Sequence, residues 1–119
     1  MSAITNFIDR LQANPETLRF EEVIELIEQN YVFEETSFDN GAQKNAAGEN
    51  SGSCKVLSFA KLNGLTKEQA LQLFAQYYQD VLATPEGDDH QNIRQFMIHG
   101  YDGLVFSSMA LTKKPEAVS

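Results

Sequence analysis

Asn45 to Leu62 reads N-A-A-G-E-N-S-G-S-C-K-V-L-S-F-A-K-L. A loop of Asn, Gly and Ser runs directly into an amphipathic stretch in which Val56, Leu57, Phe59, Ala60 and Leu62 mark a short helix. Gly64 stands where such a helix closes on a left-handed residue. The junction aims unpaired backbone N–H groups and the positive end of a helix dipole at whatever lies before it. The only cysteine, Cys54, sits in it.

Downstream, Leu65-Thr66-Lys67-Glu68-Gln69-Ala70 is the clearest helix start in the chain. Thr66 as N-cap with Gln69 three residues later forms a capping box. The spacing of Ala70, Leu71, Phe74, Tyr77, Tyr78, Val81 and Leu82 predicts one helix of about 24 Å, ended by Thr84-Pro85-Glu86-Gly87. Tyr77 and Tyr78 diverge by about 100° on a helix, so one enters the core and the other a groove. A second polar knot, Gly87-Asp88-Asp89-His90-Gln91-Asn92, then opens a helix with Asp88 or Asp89 as its cap. Ile93, Phe96 and Met97 point inward, and Gly100 ends it.

Upstream, Ile4, Phe7, Ile8 and Leu11 follow Ser2, an N-cap residue, and Asn14-Pro15 stops that helix. Phe20, Val23, Ile24, Ile27 and Tyr31 form the next apolar stripe. Glu21, Glu22, Glu25 and Glu28 make its solvated face. Tyr31 to Phe38 and Leu104 to Leu111 are aromatic and β-branched enough to pair as strands. Asp39-Asn40-Gly41 turns the first of them into a long loop, about 42–52. The fold class that follows is mainly α: about five helices packed as one small domain over residues 1–112. A minor two-stranded β element joins 31–38 to 104–111, and residues 113–119 fray as a tail.

The totals agree with one domain. The chain has 119 residues, 42% hydrophobic, with eight Phe and four Tyr to fill a core without Trp. One cysteine makes no internal disulfide. Nine basic against seventeen acidic residues give a net charge of −8, which argues against nucleic acid or an anionic membrane as partner. No apolar run approaches the roughly 18 residues of a membrane span, and Asp9 beside Arg10 breaks any signal-peptide core. The cytosol is the default location.

Candidate chemistry gathers at the two knots. Cys54 in the first turn of a helix, with Lys55 beside it, could carry a stabilised thiolate, and His90 or His99 could complete a Cys–His pair. The plainer reading of Cys54 is a small packed hydrophobe. Gly52-Ser53-Cys54-Lys55 could hold an anion at a helix opening, although the G-x-x-x-x-G-K pattern of nucleotide hydrolysis is missing. Ser53 as an ordinary N-cap explains the same letters. Asn50, Ser53, Lys55, Asp89 and Asn92 are thus the candidates for a small polar or anionic ligand. No zinc-type spacing surrounds Asp88-Asp89-His90, so neither metal nor cofactor is expected.

Taken in order, these pieces resemble the HopJ type III effector family. The matching stretches are F-x-x-V-x-x-x-I from Phe20 to Ile27, Tyr31 to Gly41, and Asn45 to Leu62 with G-E-N-S-G-S-C-K. Tyr77-Tyr78-Gln79-Asp80-Val81-Leu82, then P-E-G-D-D-H-Q-N-I-R-Q-F-M from Pro85 to Met97, and Gly100-Tyr101-Asp102-Gly103 complete the set. The resemblance runs from about Ile4 to Leu111. It implies no established activity or cofactor. It does imply a bacterial protein of the cytoplasm that a type III system exports to act on a host partner. A cysteine-dependent enzyme using Cys54 with His90, or a housekeeping protein that is never secreted, are the alternatives.

Overall fold

The computed structural model describes residues 3–114. Six α-helices and five short strands follow one another along them. They are α1 (Ala3–Ala13), α2 (Phe20–Asn30), β1 (Tyr31–Phe33), β2 (Phe38–Asn40), β3 (Gln43–Asn45) and α3 (Ser51–Leu62). Then come α4 (Lys67–Gln72), α5 (Gln76–Ala83), α6 (Gln91–His99), β4 (Leu104–Phe106) and β5 (Leu111–Lys113). Short 3-10 turns at Pro15–Thr17 and Gly100–Gly103 link neighbours. The cap expected at Ser2 lies outside the described residues.

The helical core follows the apolar spacing except at Leu62 and Leu82, which are exposed. Ile4, Phe7 and Leu11 of α1, with Val23 and Ile27 of α2, close on Val56, Leu57, Phe59 and Ala60 of α3. Rings of Phe7 and Tyr31 meet Phe59 edge-on at 6.1 and 5.8 Å. Thr66 caps α4 as expected: Gln69 N–H donates to Thr66 Oγ1 at 3.1 Å, and Gln69 Oε1 accepts from Thr66 N–H at 2.9 Å. Gly64, at φ 65°, closes α3 while Leu65 N–H reaches back to Ala60 O at 3.0 Å. The glutamate face of α2 is exposed, with Glu22 paired to Arg10 and Glu28 to Lys55.

Three expectations need correction. The single long helix is two helices, α4 and α5, broken at Ala75, whose φ of 53° and ψ of −121° no helix admits. Leu73, Phe74 and Ala75 are three consecutive buried residues. At the break Gln76 Oε1 accepts from Phe20 N–H at 2.9 Å, a contact to the start of α2. The long loop is shorter than expected, because Gln43–Asn45 turns back as β3 beside β2. Finally, the β element is not one simple pair. Tyr31–Phe33 pairs antiparallel with Leu111–Lys113, while Phe38–Asn40 pairs with Leu104–Phe106 on one side and β3 on the other.

The two ladders nonetheless keep one register. Between them Glu34 N–H donates to Ala110 O at 2.8 Å and Ser107 N–H to Ser37 O at 3.0 Å. Ser37 and Ser107 hydroxyls meet at 2.6 Å, and Ser108 donates to Thr36 Oγ1 through both its N–H and its hydroxyl. Hydroxyls thus bridge the gap that the strand ladders leave. Of the residues expected to fray, Lys113 pairs with Tyr31 and Lys114 N–H donates to Asn30 O. Residues 115–119 lie outside those described.

Candidate functional site

The site begins with the two helix openings. Asn50 precedes α3 and His90 precedes α6, and both adopt the left-handed conformation, at φ 50° and 51°. Neither side chain caps its own helix. The helix starts therefore fall earlier and later than expected. α3 opens at Ser51, with Ser53 already in its first turn, and α6 opens after His90 rather than after Asp88 or Asp89. Asparagine tolerates this backbone region better than most residues, and histidine is also enriched there.

Both openings face one cleft of about 370 Å³. Asn50, Ser53, His90 and Asn92 line it, joined by Gln43 from β3 and Gln91. Its other wall is aromatic. Phe20 lies parallel to Phe74 at 6.2 Å and edge-on to Tyr77 at 5.1 Å, and Tyr77 lies 5.4 Å from the His90 ring. The break at Ala75 orients this wall: it lets Gln76 accept from Phe20 N–H at 2.9 Å at the start of α2. Gly52 permits the close approach of α3, since a Cβ there would sit 3.1 Å from Phe20 Cζ. Of the adjacent tyrosines, Tyr78 is buried and donates to Glu68, while Tyr77 enters the cleft.

A buried asparagine lattice fixes the polar wall from behind. Asn45 and Asn92 exchange side-chain hydrogen bonds at 3.2 and 3.0 Å. Asn40 Nδ2 donates to Asn92 O and Oδ1 at 2.7 and 3.0 Å, and Asn50 Nδ2 donates to Asn45 Oδ1 at 2.6 Å. Four asparagines from β2, β3, the α3 opening and α6 therefore hold one another. Among the described residues, Asn40 Oδ1 is the one buried amide oxygen of this lattice without a partner, while the reciprocal bonds between Asn45 and Asn92 favour this arrangement over its alternatives.

Three candidates stand outside the cleft. Cys54 is 2% exposed, packs in the hydrophobic core, and does not line the cleft with His90. Burial pushes its thiol up, against the depressed value that a nucleophile needs. Lys55 is turned away as well: its Nζ donates to Glu28 Oε2 at 2.8 Å and rests 4.8 Å over the Phe33 ring. Asp89 accepts from Arg94 Nη2 at 2.6 Å, and this bond holds its carboxyl below the usual range. His90 Nε2 lies 4.0 Å from Asp80 and 3.9 Å from Asp89. Among the described residues no group of three His, Cys, Asp or Glu side chains could hold a metal ion.

Arg94 is the residue that sequence reasoning passed over. It is buried at 9% exposure between core neighbours Ile93 and Phe96. Its guanidinium also donates to Thr84 O at 2.8 Å and to Asp89 O at 2.5 Å, tying down the segment that delivers His90. The one available signal was a charged residue at core-facing spacing, which implies a local set of acceptors. Gln43 carried no signal, because its place depends on the unexpected turn into β3.

A family model described as HopJ type III effector protein matches residues 4–111. The chain is also similar to a solved protein, described as the crystal structure of unknown function protein VPA0580. The two are 46% identical over 96% of this chain and 95% of the other, with a TM-score of 0.92. Among curated proteins, none matches. No helix among the described residues is long and apolar enough to cross a membrane.

Proposed function

The chain belongs to the HopJ type III effector family, and from that premise we propose that it acts by binding a small polar ligand in the cleft between α3 and α6. One observation carries the reading. Two helix openings far apart in sequence line a single hollow of about 370 Å³, within the size range of small-molecule sites, and a buried lattice holds its polar wall rigid. Covalent catalysis by Cys54 is disfavoured by its burial and raised thiol.

The test is titration of isotope-labelled protein with a panel of amino acids, sugars, and heterocyclic amides and acids, followed by NMR. The expected result is a saturable shift of Gln43, Ser53, Gln91 and Asn92 resonances by at least one compound. A panel that leaves all four unmoved removes the reading.

The family match favours a second element: export from the bacterial cytoplasm through a type III system. A fusion to a reporter enzyme active only inside host cells should give signal from a secretion-competent strain and none from an apparatus-deficient one. Equal signal, or none from either, argues for a resident bacterial role.

A further inference from the structure

The cleft's chemistry narrows its ligand, an inference that rests on the binding role proposed above. Its lining consists of three carbocyclic rings, one imidazole, and the uncharged side chains of Gln43, Asn50, Ser53, Gln91 and Asn92, with Ile93 beneath. No Lys, Arg, Asp or Glu is among them. None of the cations near these residues in sequence lines the cleft: Lys44 pairs with Asp39, Lys55 with Glu28 and Arg94 with Asp89 and Thr84, and Arg19 lies outside the lining. An anion entering the cleft finds no counter-charge there. It would also approach Asp80 and Asp89, whose carboxylates lie 4.0 and 3.9 Å from His90 Nε2. A cation finds no carboxylate lining the cleft: Asp89 is already bonded to Arg94, and the Asp80 side chain is 64% exposed and so stays in water. A charge that leaves water needs a partner, so both signs are disfavoured.

Neutral polar groups meet a better wall. Among the described residues, Ser53 Oγ, Asn50 Oδ1 and Gln91 Oε1 have no protein hydrogen-bond partner, although their residues line the cleft. Amides and hydroxyls offer donors and acceptors side by side, which suits a ligand edge that mixes both. Phe20 and Tyr77, only partly buried, offer aromatic surface to its ring. We propose that the cleft takes an uncharged planar heterocycle bearing an amide-like edge, its ring against Phe20 and Tyr77 and its edge against Ser53, Asn50 and Gln91.

Three probes of matched shape test this: nicotinamide, which is neutral, nicotinate, which is an anion, and 1-methylnicotinamide, which is a cation. NMR titration should show nicotinamide shifting the Ser53, Gln91 and Asn92 amides and the Tyr77 ring, at least tenfold more tightly than either charged probe. Gln43→Glu, which puts a carboxylate on the rim, should move the preference toward 1-methylnicotinamide. Equal or tighter binding of a charged probe to the wild-type cleft overturns the neutral assignment and leaves the binding role standing. If no probe moves these residues while an amino acid or a sugar of the panel does, the heterocycle assignment alone falls. If nothing moves them, both fall.

Discussion

Asn45 and Asn92 face each other as a reciprocal amide pair, each side chain donating to the other's oxygen, at 3.2 and 3.0 Å. The pair joins strand β3 to the first turn of α6, two elements far apart in sequence. It also fixes Asn92 at the floor of the cleft. Both residues are almost fully buried, so neither amide has water as an alternative partner.

Asn92→Ala leaves the Asn45 amide without that partner in a buried site. The expected cost is about 2 kcal/mol, the range for orphaning one buried polar group. Urea unfolding should show a lower midpoint with an unchanged slope, the mark of lost stability in an intact two-state fold. An unchanged midpoint would mean that the lattice does not hold the cleft wall.

Gly41 and Gly64 separate backbone strain from crowding. Both have positive φ, at 60° and 65°. A Cβ on Gly41 would lie 2.4 Å from His99 Cδ2 and 2.5 Å from Gln95 Oε1, whereas nothing lies within 4 Å of one on Gly64. Gly64→Ala should cost about 1 kcal/mol for the left-handed backbone alone. Gly41→Ala should cost at least about 1 kcal/mol more, since two side chains must also move. Paired denaturation curves decide the order, and equal losses would refute the crowding argument.

Ala75 should respond in the opposite direction. Its φ of 53° with ψ of −121° belongs to the region that glycine alone enters freely. Ala75→Gly gives up one buried methyl, worth about 0.8 kcal/mol, and relieves strain of about 1–3 kcal/mol. A net gain near 1 kcal/mol is expected from thermal or denaturant unfolding. A clear loss would show that the break between α4 and α5 carries no strain.

The Asp89–Arg94 bond gives a signed pH dependence. Asp89 titrates below its ordinary value because Arg94 donates to its carboxylate. Its contribution is therefore present above about pH 4 and lost as pH falls through the depressed value. Protection of Arg94 Nε, which donates to Asp89 O, from hydrogen exchange should fall in that acid window relative to the free rate at the same pH. Asp89→Asn should abolish the acid step there. A step that persists in the variant would assign it to another group.

Cys54 should be inert in the native protein. With 2% exposure and a thiol raised by burial, its reaction with an aromatic disulfide should be slow when folded and fast in urea. Its alkylation rate should rise only above the free-thiol value of about 8.5. Fast native labelling with a lower titration point would revive the nucleophile.

The sequence is most legible where a local rule acts alone. The Thr66–Gln69 box, the Gly64 closure and the apolar stripes of α1 and α2 each need only near neighbours, and each is found as read. The break at Ala75 is different, because it comes with a tertiary contact between Gln76 and Phe20 rather than with any local breaker. Asn50 and His90 stand in the two polar knots that the sequence singles out, and the structure brings both to one cleft. Their roles as left-handed helix starts were not legible, since serine and aspartate nearby are the better caps by type. Arg94 was hidden because its acceptors, Thr84 O and Asp89 O, are backbone carbonyls that carry no side-chain signature.

The shared register of β1 with β5 and of β2 with β4 has a temporal consequence. Both ladders draw one side from residues 104–113. On the ribosome, the nascent chain can form α1 to α5 and the β2–β3 hairpin while β1 still lacks its partner and β2 one of its two. The hydroxyl bridge of Ser37 to Ser107 is a clasp that cannot fasten until residue 107 has been added, about 70 residues after its first half.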